Sequence, residues 1–172
     1  MKRLFDTSLI SPPFYGNFMS FYCRRLPDAS VRVAEIAAAV SLASEAGHTS
    51  IATAAELITG ARGNGRQIWV IDSGATPDRF TESFAAAAAA SISSAGKVSS
   101  AWTQGDVVIT LGLQDKSFAQ AAKRAGVSVI LINSGSEETC EDVDVIIQAN
   151  ADNESARNGL LLALACAFSD PA

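Results

Sequence analysis

The sequence predicts an α/β fold, a doubly wound three-layer sandwich around a parallel sheet of five strands. Four apolar segments, residues 67–76, 106–112, 127–135 and 143–150, each run into a short polar stretch. Helix-like stretches lie between them, which is the alternation that builds parallel strands joined by crossover helices. A shorter apolar stretch at 98–102 supplies the fifth strand, at an edge. In such a sheet the polar strand ends emerge along one edge, where open α/β sheets bind ligands.

Taken in order, residues 1–27 stand apart. Phe5, Phe14, Tyr15, Phe18, Phe21 and Tyr22 crowd into this segment, and Pro12 with Pro13 prevents one continuous helix there. It reads either as packing over its own domain or a partner subunit, or as a flap over a ligand. Residues 28–172 form the α/β domain. Its first helix covers 28–46, with Asp28 or Ser30 as N-cap and Gly47 as C-cap. Thr49 or Ser50 opens a second helix that runs through Ala61 and stops at Gly63, Asn64 and Gly65, just before the first strand. A helix over 77–94 follows that strand and carries the alanine run 85–90, a composition that favours helix and close packing. Gln104 and Gly105 turn the chain into the next strand. A helix over 117–125 is stopped by Gly126. The last helix, 154–169, is apolar on nearly every side from Leu160 onward and is expected to be buried.

Composition excludes several classes of function. A formal net charge of -5 and isolated basic pairs, Arg24 with Arg25 and Lys123 with Arg124, argue against nucleic-acid binding. Cys23, Cys140 and Cys166 lack metal-ligand spacing, and His48 is the one histidine, so no metal site is expected. No Gly-x-Gly-x-x-Gly follows a strand, and no Walker loop or nucleophile elbow is present, so no cofactor is expected. The longest apolar stretch, 160–168, is too short to span a membrane. Asp6, Ser8 and the two prolines interrupt the opening residues, which argues against a signal peptide. The chain reads as soluble and cytoplasmic.

The loop after the first strand has the most specific chemistry. Gly74 permits a tight turn, and Thr76 before Pro77 places an N-cap ahead of a proline in the first helical position. The amides of Ser73, Gly74, Ala75 and Thr76, the two hydroxyls and the helix N-terminus suit an anion such as a phosphate. The same turn also caps a helix with no ligand at all. Asp72 and Asp78 flank it, and Arg79 offsets one of them. After the second long strand come Gly112, Lys116, the one cation at that loop, and Ser117, a helix cap. The third loop contains Ser134, which has capping-box spacing to Glu137. Beyond the fourth, Arg157 either reaches back to the strand edge or lies on a solvated helix face.

From residue 28 onward the chain resembles the sugar isomerase (SIS) domain family, and within it the phosphoheptose isomerases. The likeness rests on the Gly63, Asn64, Gly65 turn before the first strand, and on residues 72–76 standing where the family has its Gly-x-Gly-Gly-Ser phosphosugar loop. It rests also on Gly105 and Asp106 opening the next strand, and on the helix-glycine-strand run 123–130. The resemblance implies a five-stranded parallel sheet with leading helices, a homodimer or homotetramer, and a small anionic ligand such as a sugar phosphate. It also implies phosphate contacts from Ser73, Gly74 and Thr76, and more loosely from Ser117. The phosphoheptose isomerases carry a glutamate on the helix after the first loop and a histidine on the last helix. This chain has alanines beyond Phe84 and Leu160 with its neighbours at those places. The functional expectation is therefore binding of a phosphosugar, without a visible acid–base pair for isomerisation. The alternatives are a non-catalytic regulatory or assembly module and a nucleotide-binding Rossmann-like protein.

Overall fold

A computed structural model of the chain describes residues 48–72, 79–93, 101–112, 116–133, 142–148 and 154–168. Its elements are α1 (His48–Gly63), β1 (Ile68–Asp72), α2 (Arg79–Ala88), β2 (Ser91–Ser93), β3 (Val107–Leu111), α3 (Lys116–Arg124), β4 (Ser128–Asn133), β5 (Val145–Gln148) and α4 (Glu154–Phe168). The aromatic segment 1–27 and the helix expected over 28–46 lie outside the described residues. Every strand pairing is parallel, in the order β2-β1-β3-β4-β5.

Strand direction and handedness explain the layers. Crossovers between parallel strands are right-handed, so a reversal in the direction of progress moves the connecting helix to the other face. From β1 to β2 the chain moves one way, and α2 packs on one face with α1 and α4. From β3 to β4 it moves the other way, and α3 packs on the opposite face. The first face holds Ile68, Val70, Ile109, Ile130 and Ile147 against Ile51, Ile58, Phe84 and Leu160 to Ala165. The second holds Ile71, Val108 and Val129 against Ala122, with Trp69, Trp102 and Phe118 beside them. Trp102 and Phe118 meet edge to face at 5.2 Å.

Helix α4 packs against both α1 and α2. Its buried Leu160, Leu161, Leu162 and Leu164 each contribute about 1.5–3 kcal/mol through removal from water. The Phe84 and Phe168 rings close the contact with α2, edge to face at 5.7 Å.

One boundary departs from the sequence expectation. The helix expected over 77–94 ends at Ala88, and the edge strand is β2 at Ser91–Ser93. Ala101 and Trp102, assigned to that edge strand from sequence, lie outside any strand. The cause is a helix stop with no glycine. The Ala90 amide donates to the Ala85 carbonyl at 2.8 Å and the Ala89 amide to that of Ala86 at 3.4 Å, with Ala89 left-handed at φ 54°. These two bonds are the paired closure of a Schellman motif. Helices α1 and α3 end the same way. Arg66 bonds back to Ala61 with Gly65 at φ 63°, and Val127 bonds back to Ala122 with Gly126 at φ 72°. Only at α2 is the left-handed position filled by a residue with a Cβ, which costs about 1–2 kcal/mol. Replacing exposed Ala89 by glycine is expected to raise stability by about 1 kcal/mol, or Tm by about 2–4 °C. A lower Tm for Ala89→Gly in thermal melting would contradict this.

Asp106 fixes β1 and β3 to one another at their N-terminal ends. Its carboxylate, 1% exposed, accepts from the Gln67 amide, the Thr103 amide and the Thr103 hydroxyl, each at 3.0 Å. The main chain closes the same joint, the Val107 amide donating to the Gln67 carbonyl at 3.0 Å. The Gly105–Asp106 pair seen in the sequence thus builds the fold at the N-terminal ends of the strands.

Candidate functional site

Strand order reverses between β1 and β3, and the C-terminal ends of those two strands flank the crevice where doubly wound sheets bind ligands. On one side β1 ends at Asp72 and is followed by residues 73–78. On the other, β3 ends at Leu111 and is followed by Gly112. Helices α2, α3 and α4 each begin where a strand has just ended, so their N-termini, with positive dipole ends, lie along this edge.

Of the residues singled out from sequence, Ser73, Gly74, Ala75, Thr76 and Ser134 lie outside the described residues. Gly112 stands at the end of β3 with φ 87°, a left-handed geometry that suits glycine. Its amide donates to the Ile132 carbonyl at 2.9 Å, and its carbonyl accepts from the Thr110 hydroxyl at 2.9 Å. Both main-chain groups are therefore engaged within the sheet. A Cβ at Gly112 would meet no heavy atom of the described residues within 4 Å. Gly112 shapes the crevice rather than supplying its amide to it. Lys116 opens α3, and exposed Ser117 follows in its first turn.

The structure adds a pair that sequence spacing does not reveal. Asp72, at the end of β1, shares its sheet face with Ile68 and Val70, the face on which α4 packs. Arg157, in the first turns of α4, reaches back to it, with Nη1 at 3.9 Å from Oδ1. The side chains are 6% exposed for Asp72 and 25% for Arg157. An ion pair this withdrawn from solvent is screened less than a surface pair such as Lys123 with Asp142, at 3.4 Å and 62% and 26% exposed. Of the two sequence readings of Arg157, the reach to the strand edge is the one observed. A cation from the last helix thus stands against the carboxylate that precedes the first loop.

Polar groups continue along the edge. Asn133 and Gln148 are register partners at the ends of β4 and β5, on the face away from Asp72. Buried Asn158 adjoins Arg157 on α4. His48 is the first residue of α1, and Glu82 lies exposed in the first turn of α2. Among the described residues, no three His, Cys, Asp or Glu side chains are grouped so as to hold a metal ion. No described helix is long and apolar enough to cross a membrane. Among the described residues this edge carries the Asp72 carboxylate, the partly buried Arg157 cation, the Ser117 hydroxyl and the side chains of Asn133 and Gln148.

The alanine run and the last helix, where the resemblance would place an acid–base pair, are structural. Phe84, Ala85 and Ala88 are buried, and so are Leu160 through Ala165. Apolar side chains at these positions fill the core between α2, α4 and the sheet.

Similarity to known proteins is structural. No protein-family model and no curated protein sequence matches the chain. A phosphoheptose isomerase from Francisella tularensis superposes with a TM-score of 0.61 at 16% identity, covering 81% of this chain and 92% of that one. A phosphoheptose isomerase from Neisseria gonorrhoeae gives 0.58 at 16% identity, covering 82% and 97%. The C-terminal domain of a glucosamine-fructose-6-phosphate aminotransferase from Francisella tularensis gives 0.53 at 11% identity, covering 81% of this chain and 41% of that one. The chain has a divergent phosphoheptose isomerase-like fold of the sugar isomerase type.

Proposed function

We propose that this chain, with its phosphoheptose isomerase-like fold, binds a sugar phosphate or a closely related small anionic metabolite at the C-terminal edge of its sheet, and that it does so as a binding protein rather than an isomerase. The observation that carries the reading is the strand reversal between β1 and β3. It brings the end of β1 at Asp72, from which residues 73–76 continue, beside the end of β3 at Leu111, at the position where doubly wound sheets take their ligands. The phosphate is held by the amides of residues 73–76, the hydroxyls of Ser73 and Thr76, and the dipole of the helix that follows. That dipole contributes about 0.3–1 kcal/mol beyond the direct hydrogen bonds. Lys116, Ser117 and Ser134 line the remaining sides. The protein works as a homodimer or homotetramer, with the alanine-rich helices and the aromatic segment 1–27 at the subunit contacts.

Isomerisation needs a general base within hydrogen-bonding reach of a substrate C–H. The buried alanines of α2 and leucines of α4 offer none, which supports binding without turnover. The test is thermal melting against a panel of hexose and heptose phosphates, the matching free sugars, and nucleotides. A sugar phosphate at about 100 times its Kd is expected to stabilise the protein by about 2.7 kcal/mol, a clear rise in Tm. A shift with nucleotides alone would favour a Rossmann-like nucleotide-binding protein. No shift with any sugar phosphate would favour a regulatory or assembly module.

A further inference from the structure

We propose, building on the function inferred above, that Asn158 is a ligand-binding residue, and that its side-chain carbonyl accepts a hydrogen bond from a hydroxyl of the bound sugar. Asn158 is 9% exposed, and among the described residues nothing donates to its Oδ1. A buried acceptor left unpaired costs the full hydration it has lost, and native proteins hold few of them. Packing alone does not ask for asparagine here. Leu160 to Ala165, which follow on the same helix, are all buried and all apolar.

Two observations place Asn158 at the C-terminal edge of the sheet. Its neighbour Arg157 reaches the carboxylate at the end of β1, with Nη1 3.9 Å from Oδ1 of Asp72. Asn158 also begins a helix stripe that continues through Leu161, Ala165 and Phe168, at the i+3, i+7 and i+10 positions. Phe168 at the far end of this stripe meets Phe84 of α2 at 5.7 Å, so the stripe faces α2. At 1.5 Å per residue, Asn158 lies about 15 Å along α4 from Phe168, while Arg79, the first residue of α2, lies only about 7.5 Å from Phe84. Both helices run back along the sheet from the strand ends. Asn158 therefore stands beyond the first turn of α2, at the level of the strand ends, and not between the two helices.

An acceptor at this place selects its complement. The oxygens of a phosphate dianion are acceptors themselves and gain little from Oδ1, whereas the hydroxyls of a sugar are donors. Asn158 thus recognises the hydroxylated part of the ligand, and the class that fits is a polyhydroxylated phosphate ester.

The test is isothermal titration of the native chain and Asn158→Leu with the sugar phosphate that gives the largest melting shift in the panel, and with each monodeoxy form of that compound. Asn158→Leu is expected to bind the parent compound more weakly, on the order of tenfold. At least one monodeoxy form should bind the native chain more weakly by a similar factor. That form should bind Asn158→Leu as well as the parent compound does, because ligand and variant then lack the two ends of one bond. Native-like binding of the parent by Asn158→Leu overturns the inference and leaves the proposed function standing. So does an equal loss of affinity for the parent and for every monodeoxy form, which is the mark of a residue that only supports the fold. If Asn158→Leu does not fold, Asn158→Ala removes the same acceptor without adding bulk, and the same outcomes decide. A native chain that binds every monodeoxy form as tightly as the parent overturns the inference with no variant needed. Absence of binding to every sugar phosphate by the native chain overturns the proposed function and this inference together.

Discussion

Asp106→Ala is expected to be among the most destabilising single substitutions in the chain, although it lies at the end of the sheet away from the proposed ligand edge. Three donors converge on its carboxylate, and all three lose their acceptor at once. A hydrogen bond to a carboxylate is worth about 1.5–3 kcal/mol, and a buried donor left without a partner adds its own desolvation cost. Because the bonds share one acceptor they do not simply add, and a loss of about 4 kcal/mol is expected, a fall in Tm of about 8–16 °C. Asp106→Asn should fall between, since its amide keeps one acceptor oxygen and turns a donor toward the other amides. Urea titration of the variants is the check, and a loss under about 1 kcal/mol for Asp106→Ala would refute the joint as described. The substitution should also blunt ligand binding, because the joint fixes β1 against β3 and the far ends of those strands form the crevice.

Thr76→Val should produce the largest functional effect. Valine keeps the shape of threonine and removes its hydroxyl. In the proposed site that hydroxyl accepts from the helix amides as an N-cap and donates to a phosphate oxygen. Loss of the cap costs about 1 kcal/mol of stability. Loss of a charge-assisted bond to the ligand costs about 1.5–3 kcal/mol, roughly 10- to 100-fold in Kd, enough to abolish the melting shift at working concentrations. Thr76→Ser, which keeps the hydroxyl, should bind nearly as the native protein does. If Thr76→Val binds sugar phosphate unchanged, the site lies elsewhere than the first loop.

The sequence makes the frame of this molecule legible because β1, β3, β4 and β5 are buried strands bounded by turn signals. Their continuous apolar runs leave little room for another assignment. The short edge strand escapes because Ser91, Ile92 and Ser93 form a three-residue strand at the solvent edge, with Ile92 still 36% exposed. The stop before it escapes because Ala89 takes a conformation that pattern rules assign to glycine. Asp106 is visible as part of a motif, but its role depends on Gln67, which is distant in the chain and adjacent in space. The same holds for Asp72 and Arg157. They lie far apart in the sequence and meet only because α4 packs over the face on which Asp72 stands. Local spacing reports caps and turns, and it carries no record of which helix covers which strand end.

A crystal structure of the full chain with a bound sugar phosphate tests the central claim most directly. The account predicts the phosphate at the end of β1, with its oxygens within hydrogen-bonding distance of the amides and hydroxyls of residues 73–76 and with Gly112 across the crevice. A sugar phosphate bound away from the β1 and β3 strand ends would contradict it.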